Sequence, residues 1–253
     1  MDGFPFLDAA AATDIGRRRR KNEDAILALP EAGVFAVADG MGGGPAGEMA
    51  SEAVREALWS GFDPGVSREK HPADPVERAV RAIREANDRI LREARKKHWV
   101  GTGTTVVTLV WSGSSPRSAV VLHAGDSRAY RWRQRRLQQL TLDHSLATSA
   151  RLMGLEEAST LFQGVITRAV GIDEDLEIER TAVEVEPGDL LMLCSDGLTN
   201  ALPDTALAVM FADHPPDGSL ERLAARLIEA ANAAGGEDNI SVVLVGVGPL
   251  PRH

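Results

Sequence analysis

The sequence predicts an α+β protein built in layers, with two antiparallel sheets facing each other and helices on the outside. Three observations carry this. Many short strand patterns follow one another through short turns, which favours antiparallel pairing. Several of them, such as "VFAVA" (34–38), "DLLMLCS" (189–195) and "ISVVLVGV" (240–247), are apolar at consecutive rather than alternate positions, so they are covered on both faces. Three helical patterns supply apolar faces to cover them. Periodicity alone leaves other α+β layouts open.

In chain order, "AILAL" (25–29) and "VFAVA" (34–38) are the first strands. Ala46 to Trp59 has helical periodicity. "GFDPGVSREKHPADP", Gly61 to Pro75, is rich in Pro and Gly and reads as a long surface loop. The strongest helix runs from Asp74 to His98. Asp74 can cap it, Pro75 suits its first turn, Glu77 would complete a capping box, and Val76, Val80, Ile83, Ile90 and Leu91 share one face. Strands follow at "TTVVTLVW" (104–111) and "SAVVLHAG" (118–125), then a hairpin over 128–140, then "EIERTAVEV" (177–185) and "DLLMLCS". The last helix, Ser219 to Ala234, is stopped by Gly235 and Gly236, and "ISVVLVGV" closes the chain. No linker divides the pattern and no internal repeat is present, so 1–253 reads as one domain.

Composition excludes several classes. The formal charge of −9 opposes bulk attraction to nucleic acid, and aromatics, at 4%, are too few for base stacking. The local run "GRRRRK", Gly16 to Lys21, reads on composition as a solvated patch. No apolar stretch approaches the ~20 residues that span a bilayer, and the first residues carry acids where a secretory leader carries bases. The single cysteine, Cys194, allows no intrachain disulfide and fits a reducing cytoplasm.

The chemistry lies in acids at strand ends. Asp39 ends "VFAVA", Asp126 follows "SAVVLHAG" and Asp196 follows "DLLMLCS", while Glu23 and Asp24 precede "AILAL" and Asp238 precedes "NISVVLV". A single strand-end Asp is usually a turn residue. A whole set of them at the mouths of facing sheets makes an oxygen-rich cluster suited to Mg²⁺ or Mn²⁺. After Asp39 come Gly40, Gly42, Gly43 and Gly44, which make room for backbone carbonyls and water. Two such ions about 3.5–4 Å apart can share a water and clamp a phosphoryl oxygen. No His/Cys spacing suggests zinc. No G-x-S-x-G elbow is present, and "GMGGG" lacks the lysine of a phosphate-binding P-loop. Cys194 reads as a buried structural thiol, and His144, in "LTLDHS", as a loop residue rather than a catalytic base.

An ordered set of motifs resembles the metal-dependent protein phosphatases of the PPM, or type 2C, family, in its bacterial serine/threonine branch. The motifs are "TDIGRRRRKNEDA" (13–25), "VADGMGGGPAGE" (37–48), "GTT" (103–105), "HAGDSRAYRWRQRRLQQLTLDHS" (123–145), "CSDGL" (194–198) and "EDNISVVLV" (237–245). They span about residues 10 to 247. The resemblance implies a four-layer α-β-β-α sandwich with the metal centre at one end of the sheets. It implies that Asp39 bridges two ions, that Asp196 and Asp238 complete the first site, and that Glu23 and the carbonyl of Gly40 serve the second. Asp24 would hold a metal-bound water, and a third, weaker ion would fall on Asp126 and Asp196. Arg19, five residues before Asp24, takes the place of the phosphate-binding arginine, leaving Arg17, Arg18, Arg20 and Lys21 as solvated charge. The implied reaction is attack of a metal-bridging hydroxide on a phosphoserine or phosphothreonine, without a phosphoenzyme.

Two features depart from the family pattern. Met41 stands where many eukaryotic members have a histidine after the Asp-Gly pair, so no side chain is named as general acid and a metal-bound water is the default. The segment "LATSARLMGLEEASTLFQGVITRAVG" (146–171) is a shortened flap, with 146–166 the altered part, and keeps only the ending "ITRAVG". The resemblance implies phosphorylated protein substrates, and their phosphorylation calls for a separate serine/threonine kinase. A monomer is expected because no apolar helix face is left over. The competing readings are a phosphoprotein-binding pseudophosphatase, which the intact acid set opposes, and a phosphatase of a small phosphoester.

Overall fold

The computed structural model describes residues 7–63, 74–112, 115, 117–162, 164–215 and 218–249. Along them run β1 (Leu7–Asp14), β2 (Asp24–Leu29), β3 (Val34–Met41), α1 (Pro45–Phe62), α2 (Pro75–Lys97), β4 (Gly103–Thr104), β5 (Val106–Trp111), β6 (Ser118–Ala124), β7 (Arg128–Arg133) and β8 (Arg136–Gln139). They continue with α3 (Leu146–Leu152), α4 (Glu156–Leu161), β9 (Glu179–Glu184), β10 (Leu190–Cys194), α5 (Asp196–Ala201), α6 (Asp204–Ala212), α7 (Leu220–Ala233) and β11 (Ile240–Val247).

One sheet has the order β1-β11-β10-β7-β8 and the other β2-β3-β5-β6-β9, with the short β4 paired to β3. Every strand pair is antiparallel. The consecutive apolar residues now have a cause. Successive strand side chains point to opposite faces, and both faces of each sheet are packed. Phe35 and Val37 of β3 meet Leu191 and Leu193 of β10 and Val243 and Val245 of β11 in a core between the sheets. Val34, Ala36 and Ala38 face Val54 and Leu58 of α1 and Ile83 of α2. On the other side, Met192, Val242 and Leu244 face Phe211 of α6 and Leu223 and Leu227 of α7. Three apolar cores therefore separate four layers, α-β-β-α, as expected. Each fully buried Leu, Val or Phe side chain contributes roughly 1.5–3 kcal/mol.

Three differences from the sequence-based expectation have local reasons. The alanine-rich β1 carries no β-branched pattern, yet all its residues pair in register with β11, from Leu7 opposite Val247 to Asp14 opposite Ile240. Tertiary pairing overrides its poor propensity. Asp74 caps α2 through the Val76 N–H at 3.0 Å, but Glu77 does not complete a capping box. Its carboxylate pairs with Arg180 of β9 instead. The short helices α3 to α6 lie where the sequence shows no helical period. The loop expected over 61–75 falls, at 64–73, outside the described residues.

Candidate metal centre

The register of β2 on β3 sets Asp24 directly opposite Asp39. Each lies two residues beyond a side chain of the inter-sheet core, Ile26 and Val37 respectively, so by strand alternation both carboxylates face the space between the sheets at one end. Like charges directly opposed across a strand pair destabilise it. The fold nevertheless fixes them there. Thr105 N–H donates to the Asp39 carbonyl at 2.9 Å, Asp39 N–H donates to Thr105 Oγ1 at 3.1 Å, and Thr104 Oγ1 donates to the same carbonyl at 2.9 Å. This is the work of the "GTT" stretch.

Gly40 and Gly47 are dictated by close approach. A Cβ on Gly40 would stand 2.3 Å from the Gly47 carbonyl oxygen, and one on Gly47 would stand 2.6 Å from Glu23 Oε2. The first turn of α1 therefore lies against Gly40 and the Glu23 carboxylate with no room for a side chain between them. Gly42, Gly43 and Gly44 serve the backbone instead, turning through left-handed conformations into Pro45.

Asn239 fastens the N-terminal segment to the start of β11. Its Oδ1 accepts from Glu23 N–H at 2.8 Å and its Nδ2 donates to the carbonyls of Ile15 and Lys21, both at 2.9 Å. Ser195 Oγ donates to Asp24 Oδ2 at 2.8 Å and accepts from Ser241 N–H at 2.9 Å. Asp196 opens α5 and accepts from Asn200 at 3.0 Å. Asp238 Oδ2 accepts from the Arg19 guanidinium at 2.6 Å. Neither Asn239 nor Ser195 stands out in the sequence. Their only signal there is position, each beside an acid at a strand end.

The result is a cleft of about 740 Å³ lined by Glu23, Asp39, Gly40, Asp126, Asp196 and Asp238, with Arg19 at its side. Asp24 is the one candidate that does not line it; it lies beside Asp39. One oxygen each of Asp24, Asp126 and Asp196 is buried without any hydrogen-bond donor, a cost of about 1–3 kcal/mol apiece if nothing else pairs it. Burial pushes the Asp24 carboxyl up to about 6 and Asp126 up to about 7. Burial, then the neighbouring charges of Asp24, Asp196 and Asp126, drives Asp39 well above the carboxylate range, and burial with the Asp238 charge raises Asp196. Each shift has the same root, burial of anionic oxygens close together, which the charges of Arg19 near Asp196 and Arg128 near Asp126 only partly offset. An all-oxygen donor set with orphaned buried oxygens fits hard divalent cations.

A second knot of ligand types does not. His123, His144 and Glu179 bring three donor atoms within 4.8 Å of one another. The two imidazoles are stacked, 4.3 Å between centroids and 12° between planes, so their in-plane lone pairs run side by side and do not converge. His144 lies in the irregular segment before α3, as a loop residue should, but it is buried. Its Nδ1 accepts from Gly125 N–H at 3.2 Å and its Nε2 lies 3.0 Å from Glu179 Oε2. Cys194 is fully buried among apolar neighbours of the β10 core, as expected. Arg17, Arg18, Arg20 and Lys21 are exposed; Arg18 makes only a 3.7 Å surface pair with Glu237.

A family model for protein phosphatase 2C matches residues 16–241. The chain belongs to the protein phosphatase 2C family. Serine/threonine phosphatase stp of Listeria welshimeri is 34% identical over 254 residues, covering 94% of this chain and 95% of that one. The catalytic domain of serine threonine protein phosphatase PstP, solved in complex with two manganese ions, superposes with a TM-score of 0.83 at 32% identity over 96% of this chain and 99% of that chain. Serine/threonine phosphatase Stp1 of Staphylococcus aureus gives 0.84 at 29% identity, with 98% of each chain covered. The sandwich is that of the family, and the chain is a metal-dependent serine/threonine protein phosphatase acting on phosphoproteins. No described helix is long and apolar enough to cross a membrane.

Proposed function

We propose that this phosphatase domain, one unit over 1–253, works through the strand-end acids. Asp39 would be shared by two divalent ions, Asp196 and Asp238 would complete the holding of the first, Glu23 and the Gly40 carbonyl would hold the second, and Asp126 with Asp196 would take a third, weaker one. Mg²⁺ and Mn²⁺ both suit such oxygen sets. The observation that carries this reading is the set of buried, donorless oxygens on Asp24, Asp126 and Asp196. When bound, the ions supply Lewis acidity to a phosphoryl oxygen and lower the pKa of water.

The chain's own residues do the rest. Asp24, held by Ser195, orients water at the first site. Arg19 turns its planar fork from Asp238 to the phosphate oxygens and neutralises charge as the ester bond breaks. Met41 carries no proton, so the leaving hydroxyl takes its proton from water. The Arg19 guanidinium beside the phosphorus lowers the barrier electrostatically, as bound cations would also do, and electrostatics together with positioning supplies most of the catalysis in phosphoryl transfer. A separate kinase, a cytoplasmic setting and a monomeric state complete the proposal; the buried lone thiol supports the second.

The test is hydrolysis of a phosphothreonine peptide with Mn²⁺, with Mg²⁺ and with chelator, beside Asp39→Asn, with Mn²⁺ binding measured calorimetrically. Metal-dependent turnover lost together with metal binding in Asp39→Asn is the expected outcome. Undiminished metal binding by Asp39→Asn would overturn the assignment of the bridge.

A further inference from the structure

Five acids and two arginines line the cleft. Arg19 faces the acids. The other, Arg168, belongs to the wall that continues the shortened flap, and neither the metal centre nor the proposed reaction uses it. Its backbone is pinned on both sides. Thr167 N–H donates to the His144 carbonyl at 2.8 Å, and Val170 exchanges two bonds with Thr104, each 2.9 Å. Ile166 bridges to Ser145. An arginine on a fixed wall is preorganised to receive a ligand, since little backbone freedom is lost on binding.

The side chain is 41% exposed and its Nη2 lies 2.9 Å from Glu177 Oε2, on a glutamate that is itself 73% exposed. Nη1 lies 3.3 Å from His144 Nε2. That nitrogen is no acceptor, because His144 Nδ1 takes the Gly125 N–H and leaves the proton on Nε2, directed at Glu179. Among the described residues the guanidinium's direct ion pair is thus with one solvent-exposed glutamate, a contact worth little and easily exchanged, while Glu179 attracts it from further off. The guanidinium already carries an exposed carboxylate, on a glutamate that stands outside the lining of the cleft.

We propose that Arg168 is a specificity-determining residue that binds an acidic side chain of the phosphoprotein next to the phosphorylated residue, displacing Glu177. The exchange of one carboxylate for another conserves charge and places the substrate chain against the wall while its phosphate meets Arg19. The inference rests on the placement of the reacting phosphate proposed above.

The experiment compares two phosphothreonine peptides, identical except that one carries Asp or Glu and the other Gln beside the phosphoresidue, using the Mn²⁺-loaded full chain. The ratio of their kcat/KM values is read in the wild type, Arg168→Ala and Arg168→Glu. A general loss of activity cancels in the ratio. The wild type should favour the acidic peptide about fivefold at low salt, as expected of an exposed charge pair. Arg168→Ala should bring the ratio to about one, and Arg168→Glu should invert it; a merely structural role would do neither. A wild type without preference, or an Arg168→Ala that keeps it, overturns the proposal. Absence of turnover with both peptides overturns the reading of the centre and this inference with it.

Discussion

Gly47 shows how tightly single residues constrain the centre. Alanine is the better helix former by about 1 kcal/mol, so Gly47→Ala in the first turn of α1 looks harmless. Its Cβ would stand 2.6 Å from Glu23 Oε2 and 2.9 Å from the Gly40 oxygen, both assigned to the second ion. The substitution should change unfolding free energy by no more than about 2 kcal/mol, since overpacking offsets propensity, while weakening Mn²⁺ binding at least tenfold. Titration of the metal beside thermal unfolding checks this, and unchanged affinity would remove Glu23 and Gly40 from the site. Arg19 and Arg18 form a second residue-scale contrast. Arg19 reaches Asp238 at 2.6 Å, whereas Arg18 makes a long surface pair. Arg19→Ala should lower kcat/KM for a phosphopeptide about a hundredfold, the scale of losing a charge-assisted donor to the reacting group, and Arg18→Ala less than threefold. Equal losses would show that the wrong arginine has been assigned.

Elements are joined by polar residues that no periodicity reveals. Asn87 of α2 is almost fully buried; it donates to the Asp173 carbonyl at 2.9 Å and accepts from Gly171 N–H at 2.6 Å. It ties the helix layer to the end of the cleft wall that carries Arg168. Asn87→Ala leaves the buried Gly171 N–H without its partner, while the carbonyl of the exposed Asp173 can turn to water, and should cost about 1–3 kcal/mol, read as a lowered denaturant midpoint; a change below about 0.5 kcal/mol, small beside the usual cost of an unsatisfied buried group, would mean water replaces the side chain. Such links mark the limit of what a sequence discloses. The acids were legible because each stands at one end of an apolar run, Asp39, Asp126 and Asp196 after it and Glu23, Asp24 and Asp238 before it, where a charge is out of place unless something pairs it. The long strands and α2 were legible because β-branched runs and a 3.6-residue period are local signals. β1 was not, since "LDAAAATD" acquires its conformation from β11, at the far end of the chain. Nor were α3 to α6, which are too short to show a period, or the contacts of Asn239, Ser195 and His144, which exist only between segments distant in the chain.

The molecule as a whole is an acid trap held open by three apolar cores. Burial in β-sheet ends raises Asp24 to about 6 and Asp126 to about 7 from 3.8, with Asp39 and Asp196 shifted in the same direction. A raised folded-state pKa means that, between about pH 4 and 7, the folded chain holds protons the unfolded chain has released. Stability then falls as pH rises, because fewer protons are bound in the unfolded state than in the native one. For the metal-free protein, urea unfolding should therefore give a lower free energy at pH 8 than at pH 5.5, by a few kcal/mol at most. Divalent ions bind the deprotonated oxygens and release those protons. Saturating Mn²⁺ should abolish or reverse the slope and add stability as a ligand specific to the native state. The comparison needs four unfolding curves, two pH values with chelator and two with Mn²⁺. If the chelated protein were the more stable one at pH 8, the enclosed carboxylates would not be carrying the strain that the metals are proposed to relieve. If the slope is present and Mn²⁺ leaves it unaltered, the acids would be strained but would not be the ligands.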